Sequence, residues 1–126
     1  MAGTWRPYFL LGYESVAGSA TESLTISIGE TEEFEAHSIR VHSTSVSFDI
    51  IGITDQSGIP YTNATSTAML DGNLLAAATK NEWAEVKLPI PLHLPAGTSL
   101  RFQITDTSTS TNEVWIMLVG KMRTVG

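Results

Sequence analysis

The sequence has no cysteine among its 126 residues. Disulfide frameworks, thiolate zinc sites and cysteine nucleophiles are therefore excluded. Charge is also scarce, because Asp, Glu, Lys and Arg make up only 16% of the chain, against about 25% in an average domain. The seven Lys and Arg are scattered along the chain, and the formal net charge is −6. A nucleic-acid-binding protein usually carries a basic stripe, so we expect no direct contact with nucleic acid.

Long apolar runs are missing as well. No stretch approaches the roughly 18 consecutive apolar residues of a membrane-spanning helix. The first five residues have neither the basic start nor the apolar core of a secretory signal. The sequence therefore predicts a protein that is made in a cytoplasm and does not contact a membrane. No linker or low-complexity segment divides the chain, so residues 1–126 are predicted to form a single domain.

Hydroxyl side chains supply much of the polarity, with 13 Ser and 16 Thr. Threonine packs well on a pleated surface. Apolar and polar residues alternate over most of the chain, and the helical period of 3.6 is nearly absent. These features predict an all-β protein. We expect a single antiparallel β-sandwich of the jelly-roll type, with about eight strands, an N-terminal extended arm and one long loop.

Two predicted strands change the parity of their apolar residues. In the segment 33–42 the change follows Ala36, which predicts a bulge near Ser38. In the segment 46–53 the change occurs across Gly52, which predicts a kink there. The segment 64–79 has no clear period and is predicted to be the long loop, with one helical turn at most.

The last third of the chain contains two unusual strands. Prolines alternate with apolar residues between positions 86 and 95, and a proline cannot donate a hydrogen bond to a β-ladder. We therefore predict an edge or loosely paired strand there. The segment 114–119 is apolar on both faces, which predicts either a central, doubly covered strand or one buried against a partner.

The titratable residues do not suggest catalysis. His37 and His42 are five apart on one predicted strand, so regular geometry would place them on opposite faces. A shared metal would require the bulge to realign them, and no Asp or Glu lies at a ligand spacing beside them; His93 is also interpreted as an ordinary histidine. Asp55 and Asp106 each follow Ile-Thr at a strand end, where aspartate commonly starts a turn. No nucleotide-binding or hydrolase motif is present. We expect no enzymatic activity, no cofactor and no metal.

A cluster of four glutamates lies between positions 30 and 35. We interpret it as a solvated hairpin connection, with docking to a basic partner or binding of calcium as alternatives. The residues of this cluster are Glu30, Glu32, Glu33 and Glu35.

Aromatic residues crowd the N-terminal segment. Trp and Tyr are favoured anchors in protein interfaces, so this segment is the best candidate for a binding surface. Core filling by a first strand is an equal alternative, and the two roles are compatible if residues 1–13 form an arm that enters a neighbour's sheet. The aromatic residues are Trp5, Tyr8, Phe9 and Tyr13.

Three segments carry a resemblance to a known group of proteins. They are 53–61 (ITDQSGIPY), 88–100 (LPIPLHLPAGTSL), and 104–106 (ITD) taken together with 112–121 (NEVWIMLVGK). They give the order of turn, proline-rich strand, Pro-Ala-Gly turn, polar strand and final apolar strand. In this order, over residues 46–122, the chain resembles small jelly-roll structural proteins of tailed bacteriophages, of the capsid decoration or cement type.

The resemblance implies a protein that binds the outer surface of an assembled capsid as a dimer or trimer and clamps neighbouring major capsid subunits. Its expected partners are the major capsid protein or other virion proteins. One alternative is a neck, tail or baseplate component of the virion. Another is a carbohydrate-binding jelly-roll module, in which Trp83 or Trp115 would stack on the sugar.

The resemblance transfers no individual site residue, so the contact surfaces are predicted from the sequence pattern. They are the aromatic N-terminal segment, the long loop and the proline-bearing strand. The residues predicted to form them are Trp5, Tyr8, Phe9, Tyr13, Met69, Leu70, Leu74, Pro89 and Pro91.

Overall fold

The structure, a computed structural model, describes residues 3–45, 47–55, 70–71 and 84–125. These residues contain eight β-strands, which confirms the predicted all-β fold. The strands are β1 (Arg6–Val16), β2 (Thr21–Ser27), β3 (Glu32–Ser43), β4 (Phe48–Asp55), β5 (Leu70–Asp71), β6 (Ala84–Leu94), β7 (Ser99–Asp106) and β8 (Asn112–Thr124).

The strands form two four-stranded antiparallel sheets. The first sheet has the order β1-β8-β3-β6 and the second has the order β2-β7-β4-β5. Pairing is nested, since β1 pairs with β8, β2 with β7, β3 with β6 and β4 with β5. Successive pairs alternate between the sheets, which is the arrangement of a jelly roll. The predicted jelly-roll-like sandwich is therefore confirmed.

The core lies between the two sheets and follows the period-two alternation of the sequence. On β7, for example, Leu100, Phe102 and Ile104 are fully buried, while Arg101 and Gln103 between them are exposed. The same rule holds on β2 and β8, and its phase changes on β3 at the bulge described below. The largest fully buried side chains are Phe34, Phe48, Phe102, Leu24, Ile50, Leu94, Leu100, Ile104, Ile116, Leu118, Val16 and Val41.

The predicted bulge in β3 is confirmed. The register of β3 shifts between Ala36 and Ser38 relative to both of its neighbours, β6 and β8. Gly120 on β8 lies opposite this bulge, and the backbone of β3 approaches it closely. A Cβ atom at Gly120 would lie 1.9 Å from the carbonyl oxygen of Glu35, so only glycine fits.

The predicted kink in β4 is also confirmed, because the register against β7 shifts between Ile50 and Gly52. Here the backbone is not crowded. A Cβ atom at Gly52 would meet its nearest neighbour, the Gln103 Oε1 atom, at an ordinary 3.7 Å.

Buried polar side chains hold the connections at one end of the sandwich. Asp106 starts a turn as predicted, because its Oδ1 atom accepts hydrogen bonds from the Ser108 N–H (2.7 Å) and hydroxyl (2.8 Å). Asn112, which is fully buried, accepts from the Ser45 N–H at 3.1 Å and donates to the Ser45 carbonyl at 2.9 Å. These bonds fix the chain between β3 and β4 against the start of β8.

The two edge strands of the first sheet correspond to two segments singled out in the sequence. Residues 6–16 form a regular first strand, β1, at one edge. The proline-bearing strand, β6, is at the opposite edge, as predicted. The predicted long loop falls mostly on 56–69 and 72–83, outside the described residues.

We predict that Gly120→Ala destabilises the protein by about 2 kcal/mol or more, because the new methyl group must displace the β3 backbone. Gly52→Ala is the matched control, since it also adds a methyl group next to a register shift but meets no close neighbour. Urea unfolding followed by circular dichroism measures both. Equal losses for the two variants would contradict the proposed close approach at Gly120.

Candidate protein interface

The outer face of the first sheet, which points away from the second sheet, carries an apolar patch on β1 and β8. Residues directly opposite each other in an antiparallel pair place their side chains on the same face. The register pairs Phe9 with Val119, Leu11 with Met117 and Tyr13 with Trp115. We call these six residues the apolar patch.

Three members of the apolar patch are strongly exposed. Phe9 is 59% exposed, Leu11 60% and Tyr13 48%. Single exposed apolar residues are common, but contiguous ones on a flat strand surface are typical of a binding site. The half-buried Trp115, Met117 and Val119 on β8 extend the surface towards the middle of the sheet.

An aromatic row crosses one end of the patch. The ring centroids of Tyr13 and Trp115 are 5.2 Å apart, and those of Trp115 and His42 are 5.4 Å apart. The Tyr13 hydroxyl donates a hydrogen bond of 2.8 Å to Glu113, and this bond to a carboxylate raises the pKa of Tyr13. The same hydrogen bond holds the Tyr13 ring in place beside Trp115.

The other half of the outer face, on β3 and β6, is charged, and Glu33 is the most buried of its charged residues. Glu33 is only 9% exposed, accepts a hydrogen bond from Arg123, and lies 3.0 Å from the His93 ring. The bonds from Arg123 and His93 lower the pKa of Glu33. Our interpretation of the four glutamates as a solvated connection is therefore wrong for Glu33, because the register brings a cation from β8 onto it. The interpretation as a solvated connection holds for Glu30, which is exposed in the turn.

Further ion pairs fill this half. Arg40 contacts Glu85 at 3.0 Å, and its hydrogen bond lowers the pKa of that carboxyl. Glu35 lies 3.2 Å from His37 and 3.8 Å from Lys121. The carboxylates of Glu33, Glu35 and Glu85 are thus paired within the sheet, and the outer face divides into a charged half and an apolar half.

Trp5 lies at the boundary between the halves. Its ring is 4.9 Å from the Lys121 Nζ atom and 4.5 Å from the Arg123 guanidinium carbon, so two cations lie over it. It also lines a shallow depression of about 230 Å³. The depression is lined by Trp5, Arg6, Pro7, His37, Gly120 and Lys121.

The structure separates the aromatic residues that the sequence grouped together. Phe9 and Tyr13 belong to the apolar patch, whereas Tyr8 points to the inner side and packs against the core. Alternation along β1 explains the difference, since residues of even number face the core. For each of these residues an interface role stays a prediction.

The other predicted interface residues lie far from the apolar patch or outside the residues that the structure describes. Met69 and Leu74 are outside the described residues, and only the backbone of Leu70 and Pro89 is described, in β5 and β6. Pro91 is exposed on β6, at the edge opposite β1.

Sequence reasoning did not select Leu11, Met117 or Val119. The signal was present in the segment 114–119, which is apolar on both faces. Its inner row is fully buried, and its outer row forms the β8 side of the patch.

The histidines have separate partners. The bulge places both His37 and His42 on the outer face, not on opposite faces, yet His37 pairs with Glu35 and His42 contacts Trp115. In the part of the chain that the structure describes, no group of three or more His, Asp or Glu is placed to hold a metal ion. The described residues also include no helix of the length and apolar character needed to cross a bilayer.

No protein-family model matches the sequence, and no curated protein is significantly similar to it. Solved structures of similar architecture include VP2 in the subviral particle of infectious bursal disease virus, with 14% identity and a TM-score of 0.40 over 96% of this chain and 33% of that chain. This chain thus spans about a third of the length of VP2.

Two further structures are similar. The mitogen of Yersinia pseudotuberculosis has 15% identity and a TM-score of 0.37 over 96% of this chain and 88% of that chain. A β-porphyranase of glycoside hydrolase family 86 from Bacteroides plebeius has 9% identity and a TM-score of 0.34 over 94% of this chain and 21% of that chain. At these values the likeness is one of β architecture, and nothing about function follows from it.

We predict that lowering the pH decreases the stability of the wild-type protein against unfolding more than that of the Glu33→Gln variant. Because the folded-state pKa of Glu33 lies below its ordinary value of 4.5, the carboxylate stabilises the fold above that value. This stabilisation is lost as the pH falls through the folded-state pKa. Thermal unfolding between pH 7 and pH 3 measures the effect.

At neutral pH Glu33→Gln should melt at a lower temperature than the wild type, and the two melting curves should converge as the pH falls. Glu22→Gln, an exposed glutamate on β2, is the control for loss of one negative charge. A constant difference between Glu33→Gln and the wild type at every pH would contradict the ion-pair account.

Proposed function

We propose that this protein is a structural protein of a bacteriophage virion, a decoration protein that binds the outer surface of the assembled capsid through the apolar patch. In this role it acts by binding and not by catalysis. Its partner is the major capsid protein, and its own sheet serves as a rigid platform.

The single observation that supports the proposal most is the exposure of Phe9, Leu11 and Tyr13 in one row on the outer face. Covering the exposed half of one such side chain contributes roughly 1 kcal/mol, so burying all three, together with parts of Trp115 and Met117, supplies several kcal/mol. This is a useful share of the binding free energy of a stable complex, after the cost of association.

The surroundings of the patch also favour binding to a protein. Hot spots in interfaces are enriched in Trp and Tyr and are surrounded by polar contacts that exclude water. The row of Tyr13, Trp115 and His42 supplies the aromatic anchors, and the ion pairs of Arg40 and Lys121 supply a polar border. Because all of these side chains stand on paired strands, little backbone conformational entropy is lost when a partner binds.

The virion part of the proposal depends on the sequence. Residues 46–122 resemble small jelly-roll decoration proteins of tailed phages, and such a protein stabilises the shell because it binds the assembled state and not the free subunits. A neck, tail or baseplate position would use the same surface on a different partner, so it changes the location and not the physics.

A carbohydrate-binding module is a second candidate, favoured only by the exposed aromatic row. Sugar-binding sites usually combine such a row with nearby amides, but Asn112, the neighbouring amide on β8, is buried and bonded to Ser45. Trp83, the other candidate, is outside the described residues. Binding to a glycan array in the absence of capsids would favour this candidate over the virion protein.

The direct test is co-sedimentation of the purified protein with phage heads from which it has been stripped, combined with its detection in density-purified particles. We expect saturable binding to heads and a fixed copy number per particle. Cryo-electron microscopy of the same particles separates a shell position from a tail position. Absence of the protein from purified particles, together with no binding to stripped heads, would overturn the proposal.

We predict that Met117→Asp, at the centre of the apolar patch, weakens binding to heads at least tenfold, which corresponds to about 1.4 kcal/mol. The control is Ile90→Asp on β6, because Ile90 is 81% exposed but lies outside the patch. Circular dichroism and urea unfolding confirm that each variant is folded. Equal binding by the two variants would exclude the patch as the contact surface.

A further inference from the structure

The two edges of the first sheet differ in how they are protected. Natural sheets protect their edges with prolines, charges or bulges, because an exposed edge strand offers unpaired N–H and C=O groups to another chain. The β6 edge contains Pro89 and Pro91 and lies next to the bulge of β3. The β1 edge has no proline, charge or bulge between Tyr8 and Tyr13.

Strand β1 is long and regular. It is 11 residues in length and keeps an unbroken register against β8 from Arg6 to Val16. Its one proline, Pro7, is the second residue of the strand, so the remaining N–H groups are all present. Within the described residues β1 is the end strand of its sheet, with one side unpaired.

The charges on β1 are arranged symmetrically about Leu10. Arg6 and Glu14 lie four residues before and after it, and all three face the same side of the sheet. Charges of one sign at these positions would repel a second copy. Opposite signs attract it, because a two-fold axis at Leu10 places each Arg6 opposite Glu14 of the other copy.

The apolar residues match in the same register. Phe9 lies opposite Leu11 of the second copy, and this pair occurs twice across the axis, so the exposed rows of the two patches become neighbours. Registers centred on Phe9 or Leu11 place Arg6 opposite Gly12 or Val16 and lose both charge pairs. Registers of odd offset would turn the inner face of one copy outwards.

We infer that two copies of this chain associate through β1 in antiparallel register centred on Leu10, forming one continuous eight-stranded sheet. The order of strands is then β6-β3-β8-β1-β1-β8-β3-β6. Arg6 has donors available for this contact, since its side chain is 52% exposed and its ion pair with Glu32 within its own chain, at 3.6 Å, is longer than a hydrogen bond. The inference is independent of the proposed function, because it concerns the purified protein alone.

The dimer is tested by charge exchange on the full chain. Sedimentation equilibrium and native mass spectrometry over a concentration series should give a dimer for the wild type. Arg6→Glu alone and Glu14→Arg alone each place like charges opposite one another, and each should raise the dissociation constant at least tenfold. The double variant R6E/E14R restores opposite signs and should restore the dimer.

Rescue by the double variant distinguishes pairing across the axis from a general effect of charge. Glu22→Arg on β2 is the control for the change in net charge of Glu14→Arg, and circular dichroism confirms folding of every variant. A wild-type monomer at all concentrations would overturn the inference. Single variants that dimerise like the wild type, or a double variant that stays monomeric, would also overturn this register. Because no particle is present, the result does not depend on whether the protein binds capsids.

Discussion

The structure depends on strand β8, which has apolar residues on both faces and pairs with a neighbouring strand on each side. Its inner residues Val114, Ile116 and Leu118 are fully buried against the second sheet. Its edges are paired with β1 and β3, so its backbone hydrogen bonds are made inside the sheet. Only its outer residues remain partly exposed, and β1 continues that apolar surface to the edge. The candidate interface is therefore the uncovered side of the strand that organises the core.

The two halves of the outer face of the first sheet differ in how their side chains interact with water. On β3 and β6 the carboxylates of Glu33, Glu35 and Glu85 have cationic partners within the sheet, as Glu33 has in Arg123 and His93. On β1 and β8 the exposed apolar side chains contribute favourable free energy only when a partner removes them from water. Because the two halves share one rigid sheet, a partner that covers the apolar half meets an ordered polar border.

The alternation of residues made the fold predictable, and it also set the limit of prediction. Where the apolar residues of a strand switch between even and odd positions, the side chains that face the core have shifted by one residue. The bulge near Ser38 and the kink at Gly52 were therefore predictable from local sequence. Prolines indicated the β6 edge for an equally local reason. Glu33 and Arg123, in contrast, are 90 residues apart, and only the nested strand order brings them together. The apolar patch was half predictable: Phe9 and Tyr13 stood out as aromatic, while Leu11 and Met117 required knowledge of which strands are neighbours.

Nested pairing has a consequence for the way the chain is made. Because β1 pairs with β8, about a hundred residues separate the two partners, which gives the fold a high contact order and favours slow folding. On the ribosome, β1 emerges first and β8 last, so the first sheet cannot close until residue 124 has left the exit tunnel. Until then the aromatic first strand has no hydrogen-bonded partner strand, and a chaperone that binds extended apolar segments would find it available until β8 emerges.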